Sequence, residues 1–413
     1  MSSKCKLSVC IPNYNRIDKL EKLIQVMAQQ IMRFHLEEYI EICVSDDCSP
    51  INPDVVIKEL QTKYPAVFIH YRRNDQNMGM DYNFLNSVMM AQGEYAWIIG
   101  NDDLPTNNAL QIFMNVVESD RYKNVDFIVT PFDCYDYSEH LRGTTYPFGT
   151  NMESILFDTR DKEQLNLLVM SVQRNGALFD FLSNVIFKRE HWIQHGNMFS
   201  DKMNTLFIQM YMNMQTILDG ASYLYTPDKI INDYIDDDTN ETFDRTYRIV
   251  IGLYDVFSYF WQGEERKHLE SKVLDIFIQS FLFEMDIHDE KRIKLCQCDE
   301  GKIRALDHYY IIKDKRREFF TDCSAVIYGA GNNGLLALEQ LHEFGVEVIG
   351  FCDSDINKQG NTNRGIEIFS YENLKKLCTD NPNIVVVVTS HLYMSEIVQQ
   401  LENDRINNIA IIT

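Results

Sequence analysis

Short apolar runs alternate with segments of helical spacing along the first hundred residues. Five-residue apolar runs predict β-strands at 7–11, 40–44, 67–71 and 95–99. Between them, apolar residues recur every three or four positions and predict helices at 17–32, 53–64 and 81–91. Because strands that alternate with helices of this length form parallel sheets, the pattern predicts an α/β fold with a mostly parallel, doubly wound sheet.

The pattern is less regular beyond residue 126, until a second α/β unit begins near Ser324. The expected strands of this part lie at 127–131, 184–187, 325–328, 346–351, 384–388 and 409–412. The expected helices lie at 190–195, 205–218, 247–261, 268–285, 303–320 and from the glycine-rich turn at 329 through 344, and 236–240 is interpreted as a solvated loop. The sequence therefore predicts an α/β domain at 1–240, a helical linker region at 241–321 and a small parallel α/β domain at 322–413.

Composition and charge exclude several classes of protein. The chain has 413 residues with 61 acidic side chains against 39 Lys and Arg, giving a net charge of −22. This balance argues against nonspecific nucleic-acid binding, and no Lys/Arg run suggests a lipid-binding patch. Ten scattered cysteines without a paired framework indicate free thiols in a reducing cytosol. With no secretory run at 1–6 and no stretch of eighteen apolar residues, we expect a cytoplasmic protein, with peripheral membrane contact and homo-oligomerisation both left open.

Two adjacent carboxylates end the fourth predicted strand. The stretch 93–105 reads GEYAWIIGNDDLP and places Asp102 and Asp103 directly after the apolar run. In an open α/β sheet, ligands bind outside the carboxyl ends of the strands. Neighbouring acids repel each other unless a cation or a donor-rich ligand holds them, so a metal bound to a phosphate-bearing substrate is expected here. Taken alone, the pair could also cap the next helix.

Polar clusters also follow the other three strands of the first domain, and parallel topology brings them to one edge of the sheet. Asp46 and Asp47 could accept hydrogen bonds from a base or a ribose, although alone they could form an ordinary turn. Gly79 would let the backbone approach a ligand closely. The residues of these clusters are Pro12, Asn13, Tyr14, Asn15 and Arg16 after the first strand, Asp46 and Asp47 after the second, and Arg72, Arg73, Asn77, Gly79, Asp81 and Asn83 after the third.

These motifs, in this order, resemble a family-2 glycosyltransferase of the GT-A fold over residues 5–130. The matching stretches are VCIPNYNR at 9–16, VSDDCS at 44–49, NMG at 77–79 with Asn83, and GEY at 93–95 leading into the two acids. Four ordered motifs at the expected distances are far more specific than one alone. The arrangement is most similar to the abequosyltransferase-like subgroup, which builds bacterial surface polysaccharides.

The resemblance implies a donor site with a metal. Residues 12–15 and Asp46 or Asp47 would hold the nucleotide base and ribose, and Asp102 would bind manganese or magnesium that bridges the phosphates of a nucleotide sugar. A Lewis-acid cation suits this task because the leaving nucleoside diphosphate develops charge. The acceptor would be a glycan, lipid-linked at the inner membrane face. The chain departs from the family at Gly100, where the first Asp of the usual triplet is missing, so a ribose or water contact is lost.

Inverting transfer also needs a general base for the acceptor hydroxyl. By resemblance this base would be an acid at the start of a later helix, but Gln209 stands where that acid would fall. Asp180, Asp201 and His191 are the alternatives nearby, and Asp180 is the catalytic residue that we predict. His191 lies beside Trp192, and a single histidine in such a setting is more often structural.

The C-terminal domain contains a second candidate nucleotide site. Gly329, Gly331 and Gly334 form a G-x-G-x-x-G fingerprint between a predicted strand and helix, and Asp353 lies nineteen residues further on. The domain resembles small Rossmann-like modules appended to bacterial sugar-modifying enzymes. It would bind a nucleotide, NAD or a nucleotide sugar, or would serve as a structural or partner-binding module. A nucleotide-dependent oxidoreductase centred on this domain and a noncatalytic nucleotide-binding scaffold are therefore the alternatives to a glycosyltransferase.

Overall fold

A computed structural model describes residues 5–136, 138–150, 152–235, 243–277, 320–390 and 393–411. The chain divides into two compact units, Met1–Lys272 and Val273–Thr413. Their strands are β1 (Leu7–Asn13), β2 (Ile40–Asp46), β3 (Phe68–Arg73), β4 (Tyr95–Ile98), β5 (Leu104–Pro105), β6 (Phe127–Val129), β7 (Phe132–Asp136), β8 (Leu141–Thr145), β9 (Ile155–Asp158), β10 (Val185–Lys188), β11 (Ser222–Tyr225), β12 (Ile231–Ile235), β13 (Ser324–Tyr328), β14 (Glu347–Cys352), β15 (Thr362–Asn363), β16 (Ile366–Phe369), β17 (Ile384–Val388) and β18 (Ile409–Ile411).

The helices follow the same chain order. They are α1 (Ile17–Arg33), α2 (Asp54–Lys63), α3 (Met80–Met89), α4 (Ala109–Glu118), α5 (Lys162–Met170), α6 (Arg189–His195), α7 (Ile208–Gly220), α8 (Phe243–Phe260), α9 (Gly263–Phe277), α10 (Asn332–Glu343), α11 (Tyr371–Asp380) and α12 (Met394–Asn403). Short 3₁₀ turns occupy Leu182–Asn184 and Ser200–Lys202.

The first unit is built on an eight-stranded mixed sheet in the order β3-β2-β1-β4-β10-β6-β11-β9. Strands β3, β2, β1 and β4 run parallel, whereas β10 is antiparallel to both of its neighbours, β4 and β6. Every residue of β2 is buried, as are six of the seven in β1. Continuous apolar strands are expected where a parallel sheet is covered on both faces. The carboxyl ends of the four parallel strands therefore meet at one edge, as the sequence predicts.

Helix α1 shows how periodicity determines the core. Leu20, Leu23, Ile24, Met27 and Ile31 recur every three or four positions and are fully buried against the central strands. Burying one such side chain stabilises the fold by about 1.5–3 kcal/mol. These apolar residues therefore determine which face of α1 packs on the sheet, and with it the position of the β1–α1 turn.

A second, four-stranded sheet lies in the same unit in the order β5-β12-β7-β8. Strand β5 follows directly after Asp103, and β12 pairs with it through Ile231 opposite Pro105 and Asn232 opposite Leu104. Strand β12 also runs parallel to β7, with Asp233 opposite Cys134. This sheet carries residues from beyond position 230 to the acidic turn at 100–103.

The C-terminal unit contains five parallel strands in the order β16-β14-β13-β17-β18, with β15 antiparallel at the edge of β16. Strand β13 is central, and successive strands are added first on one side and then on the other. Strands β14 and β16 extend the sheet on one side of β13, and β17 and β18 then extend it on the other side. The boundary between β13 and β17 is therefore the topological switch point of a doubly wound sheet.

The predicted α/β class is confirmed, including the four strands and three helices of the first hundred residues. The helix expected at 268–285 begins earlier, at Gly263, and is described only to Phe277. The loop expected at 236–240 and nearly all of the helix expected at 303–320 lie outside the described residues. Strands β5, β7, β8, β9, β11, β12, β15 and β16 were not expected, because each is short and depends on distant pairing partners.

Candidate functional site

The acidic turn after β4 is held by Ser183 from the 3₁₀ turn. The Gly100 amide donates to Ser183 Oγ at 3.0 Å, and Ser183 Oγ donates to Asp103 Oδ2 at 2.5 Å. The Asp103 amide closes the turn by donating to the Gly100 carbonyl at 3.0 Å. Trp97 Nε1 donates to the Ser183 carbonyl at 2.7 Å, so Ser183 is itself fixed to β4. The two carboxylates therefore stand on a turn whose backbone is tightly determined.

A side chain at Gly100 would crowd the two carboxylates of this turn. An added Cβ at position 100 would lie 2.8 Å from Asp102 Oδ1 and 3.2 Å from Asp103 Oδ2. Both carboxylates fold back over the glycine, so a side chain at this position would displace at least one of them. The glycine at position 100 therefore leaves room for both carboxylates.

Asn13 connects three of the polar clusters beneath the site. Its side chain is completely buried at the end of β1. Asn13 Nδ2 donates to Asp46 Oδ1 at 2.7 Å, and Asn13 Oδ1 accepts from Asn101 Nδ2 at 2.8 Å. Asn83 Nδ2 donates to the Asn13 carbonyl at 3.2 Å. Since β1, β2, α3 and the acidic turn all meet at Asn13, we infer that it positions the site from below.

The two neighbouring acids at the carboxyl end of β2 have different surroundings. Asp46 is fully buried, accepts from the Ser49 amide at 3.0 Å and pairs with Arg73 Nε at 3.3 Å. Asp47 accepts from the amides of Met78 at 2.9 Å and Gly79 at 2.8 Å. Asp46 is therefore a structural acceptor inside the fold, while Asp47 holds the 77–79 loop at the wall of the cavity described next.

A cavity of about 450 Å³ opens at the carboxyl edge of the parallel strands. Ten of the predicted donor-site residues line it: Pro12, Asn13, Tyr14, Arg16, Asp47, Asn77, Gly79, Asn83, Asp102 and Asp103. The other lining residues are Met80, Phe84, Gly100, Asn101, Phe181, Leu182 and Ser183. Asn15, Asp46, Asp81 and Asp180 do not line it. A cavity of this size, with a partly apolar wall and convergent polar groups, is typical of a small-molecule site.

Arg16 and Tyr14 give the cavity wall a cation and an aromatic ring. Arg16 Nη1 forms a very short ion pair with Asp102 Oδ2 and approaches Asn101 Oδ1 at 3.5 Å. Tyr14 remains 46% exposed although it lines the cavity, so its ring is available to stack on a planar ligand. Asn15 adopts a φ of +55° and donates its amide to Ser49 Oγ at 2.8 Å, which turns the chain between them.

Asp81 lies at the start of α3 but faces away from the cavity. Its side chain is buried, and Asp81 Oδ2 accepts from the Leu206 amide at 3.0 Å. Burial raises the pKa of the Asp81 carboxyl, against the lowering effect of the backbone amides of residues 204–208. Asp81 therefore fastens the loop that leads into α7, a role that the sequence did not indicate.

A third carboxylate, Asp233, lies close to the acidic turn. Burial, followed by the charges of Asp102 and Asp233, raises the pKa of Asp103 well above its usual range. Burial also raises the pKa of Asp233, and Asp102 adds to this effect. The sequence around Asp233 shows a short apolar alternation but does not indicate a site residue. Asp233 comes close to the acidic turn because β12 pairs with β5.

The predicted catalytic residue, Asp180, lies just before the cavity wall formed by residues 181–183. Asp180 Oδ1 accepts from the Gly176 amide at 2.9 Å. Burial raises the pKa of Asp180 to about 6, although several backbone amides act in the opposite direction. A carboxyl that titrates near neutral pH suits a general base, while its backbone contacts also suit a loop-positioning role.

The other base candidates have different environments. His191 Nε2 lies 3.0 Å from Asp126 Oδ1, and its ring stacks on Phe127, which makes its role structural. Asp201 pairs with Lys202 at 3.3 Å, and its side chain is 70% exposed. Gln209 is buried in the first turn of α7 and donates weakly to the Leu206 carbonyl at 3.5 Å. Neither His191 nor Gln209 lines the cavity.

The C-terminal fingerprint residues surround a separate cavity of about 450 Å³. Gly329, Gly331, Gly334 and Asp353 all line it, together with Lys358, which the sequence did not single out. Asp353 Oδ2 accepts from the Ala330 amide at 3.0 Å and from Lys358 Nζ at 2.9 Å. The four predicted residues are thus brought together, with the carboxylate bound to the glycine loop.

Each of the two units contains a stretch that matches a known family. Residues 8–185 match the model of the family "Glycosyl transferase family 2", and residues 322–412 match "C2185-like, N-terminal". Over residues 8–185 the chain is therefore similar to glycosyltransferase family 2. Within the described residues, no helix combines the length and apolar character needed to cross a membrane.

Two curated relatives illustrate the likeness. The abequosyltransferase RfbV of Salmonella typhimurium is 34% identical over 194 residues, which is 45% of this chain and 54% of that protein. The minor teichoic acid biosynthesis protein GgaB of Bacillus subtilis is 26% identical over 125 residues, 30% of this chain and 13% of that protein. The match thus spans about half the length of the first relative and far less of the second.

Solved structures show the same fold. The crystal structure of S. aureus TarS 1–349 in complex with UDP-GlcNAc superposes with a TM-score of 0.50 and 13% identity, covering 76% of this chain and 92% of that one. TarS 1–349 alone gives a TM-score of 0.51 with 14% identity, covering 76% and 91%. At such low identity these similarities establish the fold alone.

Proposed function

We propose that the chain is a glycosyltransferase that moves a sugar from a nucleotide-sugar donor to a glycan acceptor. The observation that carries this proposal is the convergence of four polar clusters of a family-2 domain on one cavity beside Asp102. The cavity is large enough for a nucleoside diphosphate and combines an exposed aromatic ring with amide, carboxylate and guanidinium groups.

The nucleotide would bind along β1 and the 77–79 loop. Tyr14 offers a stacking surface for the base, and Asn77 and Asn83 offer amide groups for hydroxyls. Asn83 Oδ1 is buried and has no hydrogen-bond partner within the described residues, so a ligand hydroxyl would satisfy it. Asp47 would act by holding Met78 and Gly79, because its oxygens already accept from their amides.

A divalent cation fits the residues around Asp102. The Asp102 side chain is 32% exposed at the cavity wall, and its hard oxygen ligands suit Mg²⁺ or Mn²⁺. No group of three or more potential ligand side chains forms a metal site in the part of the chain that the structure describes. The protein would therefore contribute few ligands, with substrate phosphates and water as the rest. When bound, the metal would neutralise charge that develops on the leaving diphosphate.

Arg16 would add to this electrostatic stabilisation. Its guanidinium is always charged and lies beside Asp102 at the cavity wall. A planar guanidinium can donate two parallel hydrogen bonds to a phosphate. In the transfer step, the acceptor oxygen bonds to the anomeric carbon while the bond from that carbon to the diphosphate breaks. The diphosphate leaves with the electron pair, beside Arg16.

Inversion requires a base on the acceptor side, and Asp180 stays our prediction for it. The base takes the proton of the acceptor hydroxyl as that oxygen attacks. A pKa of about 6 leaves Asp180 ionised at neutral pH. Phe181 and Leu182, which follow it, line the cavity, so Asp180 adjoins the cavity wall along the chain.

We further propose that the acceptor belongs to a bacterial surface polysaccharide and is presented at the inner face of the plasma membrane. Support comes from the names of two relatives, an abequosyltransferase and a teichoic acid biosynthesis protein.

A thermal-shift screen of nucleotide sugars with and without Mn²⁺ tests the donor class first. We expect at least one donor to raise the melting temperature more with Mn²⁺ than with a chelator. A hit is then tested for transfer to lipid-linked glycan acceptors, with the anomeric configuration of the product read by NMR. Stabilisation by NAD alone, with no response to any nucleotide sugar, would contradict the proposal.

A further inference from the structure

We propose that the cavity of the C-terminal unit is a second nucleotide site, built for a nucleoside diphosphate rather than for a dinucleotide. Gly331 and Lys358 would face its phosphates. The proposal concerns residues 328–397 alone and does not depend on sugar transfer by the first unit.

The position of the cavity is the first argument. It lies at the carboxyl ends of β13, β14 and β17, lined by Gly329, Asp353 and Thr389 among others. The order of strands reverses between β13 and β17. Ligands of open α/β sheets bind in the crevice at such a reversal, outside the carboxyl ends of the strands.

The three glycines have distinct roles. A Cβ at Gly334 would lie 1.9 Å from the Gly329 carbonyl, and one at Gly329 would lie 2.6 Å from Thr389 Oγ1. These two glycines permit close packing between loop, helix and neighbouring strand. A Cβ at Gly331 would meet nothing within 4 Å, although this residue lines the cavity. Packing therefore does not require a glycine at position 331, and the space beside this residue is open to a ligand.

The carboxylate of Asp353 is largely occupied by the protein. Asp353 Oδ1 accepts from the Asp355 amide at 2.9 Å, and Oδ2 accepts from the Ala330 amide and Lys358 Nζ. A carboxylate offers about four acceptor positions. Three are used, so Asp353 can accept from one ligand hydroxyl but not from both hydroxyls of a ribose in addition to its present partners. Its main role is to position the glycine loop and Lys358.

The charges at the cavity favour phosphate. Lys358 Nζ is held at the cavity wall by Asp353, and its side chain is 42% exposed. The first turn of α10 contains no acidic residue, so the partial positive charge of the helix N-terminus is not neutralised there. An ammonium group and a helix N-terminus, whose first amides have no partner within the helix, are suited to binding a phosphate.

The extent of the sheet favours one nucleotide over two. A dinucleotide spans two mononucleotide halves, each with three parallel strands. On one side of the reversal the described unit has β13, β14 and β16, but on the other it has only β17 and β18. The second half is therefore incomplete, which leaves the base and diphosphate of a single nucleotide as the ligand that this cavity can hold.

The test counts nucleotide equivalents bound to the full chain. Equilibrium dialysis with ADP, UDP, GDP and NAD compares the wild type with Gly331→Leu. Residue 331 has an extended backbone (φ −97°, ψ −163°), which any residue adopts, and an added side chain points into open space. The variant should therefore fold, as thermal unfolding can verify, while its side chain fills the phosphate position.

The chain offers matched controls. Gly143→Leu is the control for position 331, because a Cβ there also meets nothing within 4 Å and the residue lies far along the chain, in β8. Lys358→Ala is paired with Lys375→Ala in the same unit, since Lys375 also pairs with an acid, Asp404, at 2.5 Å. Gly331 and Lys358 line the cavity, whereas the control positions Gly143 and Lys375 do not.

For at least one nucleoside diphosphate, we expect the wild type and Gly143→Leu each to bind one more equivalent per chain than Gly331→Leu binds. Lys358→Ala should weaken that equivalent by about tenfold or more, the effect of one charged hydrogen bond, while Lys375→Ala leaves it unchanged. Equal equivalents in all proteins would overturn the proposal. Loss of NAD binding, with nucleoside diphosphates unaffected, would overturn it in favour of a dinucleotide site.

Discussion

Ser183 Oγ lies 2.5 Å from Asp103 Oδ2 and links a 3₁₀ turn to the acidic turn 80 residues away in sequence. The same hydroxyl accepts from the Gly100 amide. One small side chain therefore fixes both ends of the segment that carries Asp102. The position of the proposed metal ligand depends on a residue that does not itself bind the metal.

Replacing Ser183 with Ala should loosen this turn. Leaving a buried carboxyl and a buried amide without their partner costs about 1–3 kcal/mol in the free energy of unfolding. We expect urea denaturation to show this decrease in the free energy of unfolding, and we expect a lower kcat for transfer. Ser183→Thr keeps the hydroxyl and should recover most of both. Ser258→Ala is the control, because its exposed hydroxyl donates within α8, to the Asp255 carbonyl. Equal stability of Ser183→Ala and wild type would contradict this account.

Gly100→Asp, which restores the residue usual in the family, should reduce activity rather than improve it. The added Cβ would collide with Asp102 Oδ1, and a third acid would repel both neighbours. Gly100→Ala separates the steric part from the charge. We expect both variants to lower donor turnover and melting temperature, with Asp the more severe. An Asp variant with higher activity than the wild type would show that the turn tolerates the family triplet.

The pair of Asp126 and His191 should stabilise the fold above acidic pH. Burial acts to raise the pKa of Asp126, but hydrogen bonds from His191 and Ser222 outweigh it and hold the pKa well below its usual range. Because the folded-state pKa is depressed, this stability is present above the unfolded pKa of about 3.9 and is lost as pH falls below it.

Asp126→Asn should therefore lower the free energy of unfolding by about 1.5–3 kcal/mol at neutral pH. The difference from wild type should shrink as the pH is lowered below about 4. Urea denaturation at pH 7 and at pH 3 measures both. A difference that stays constant across this range would contradict the assignment of the stabilising charge to Asp126.

Asp180 should give the opposite pH dependence. Its folded-state pKa of about 6 lies above the unfolded value, so the folded state binds the proton more tightly. Stability should fall as the pH rises from about 4 to about 6 and stay level above that, by up to about 3 kcal/mol in total. Asp180→Asn should remove this slope.

The same variant tests the predicted general base. A lost base typically lowers the rate by about 100-fold or more. We expect kcat for transfer by Asp180→Asn to fall to that extent, whereas Asp201→Asn should retain wild-type activity. Full activity in Asp180→Asn, with only the stability slope removed, would assign Asp180 to positioning the 176–181 loop.

The arrangement of strands explains which parts of the site could be predicted from sequence. Parallel strands end at one edge, so polar residues directly after them converge whatever their exact contacts. This is why Asn13, Asp47, Gly79 and Asp102 were all predicted and all line one cavity. The strands themselves were recognisable because they are buried on both faces and read as continuous apolar runs.

The remaining contacts arise from distant segments and left little signal. Ser183 and Asp233 reach the acidic turn through the 3₁₀ turn and through the pairing of β12 with β5. Asp46 and Asp47 are adjacent in sequence and both are buried, but Asp46 pairs with Arg73 whereas Asp47 holds the 77–79 loop. Short strands and single hydrogen bonds depend on tertiary pairing, which local patterns do not encode.

Release of nucleoside diphosphate from an identified donor, measured for wild type and Asp102→Ala with Mn²⁺ or a chelator, tests the central claim most directly. Asp120→Ala is the control, since that exposed acid of the same unit pairs with its near neighbour Lys123 and does not line the cavity. We predict metal-dependent release by wild type and Asp120→Ala, and a loss of about 100-fold or more in Asp102→Ala. Undiminished release by Asp102→Ala, or by wild type in the chelator, would contradict a metal-assisted donor site at Asp102.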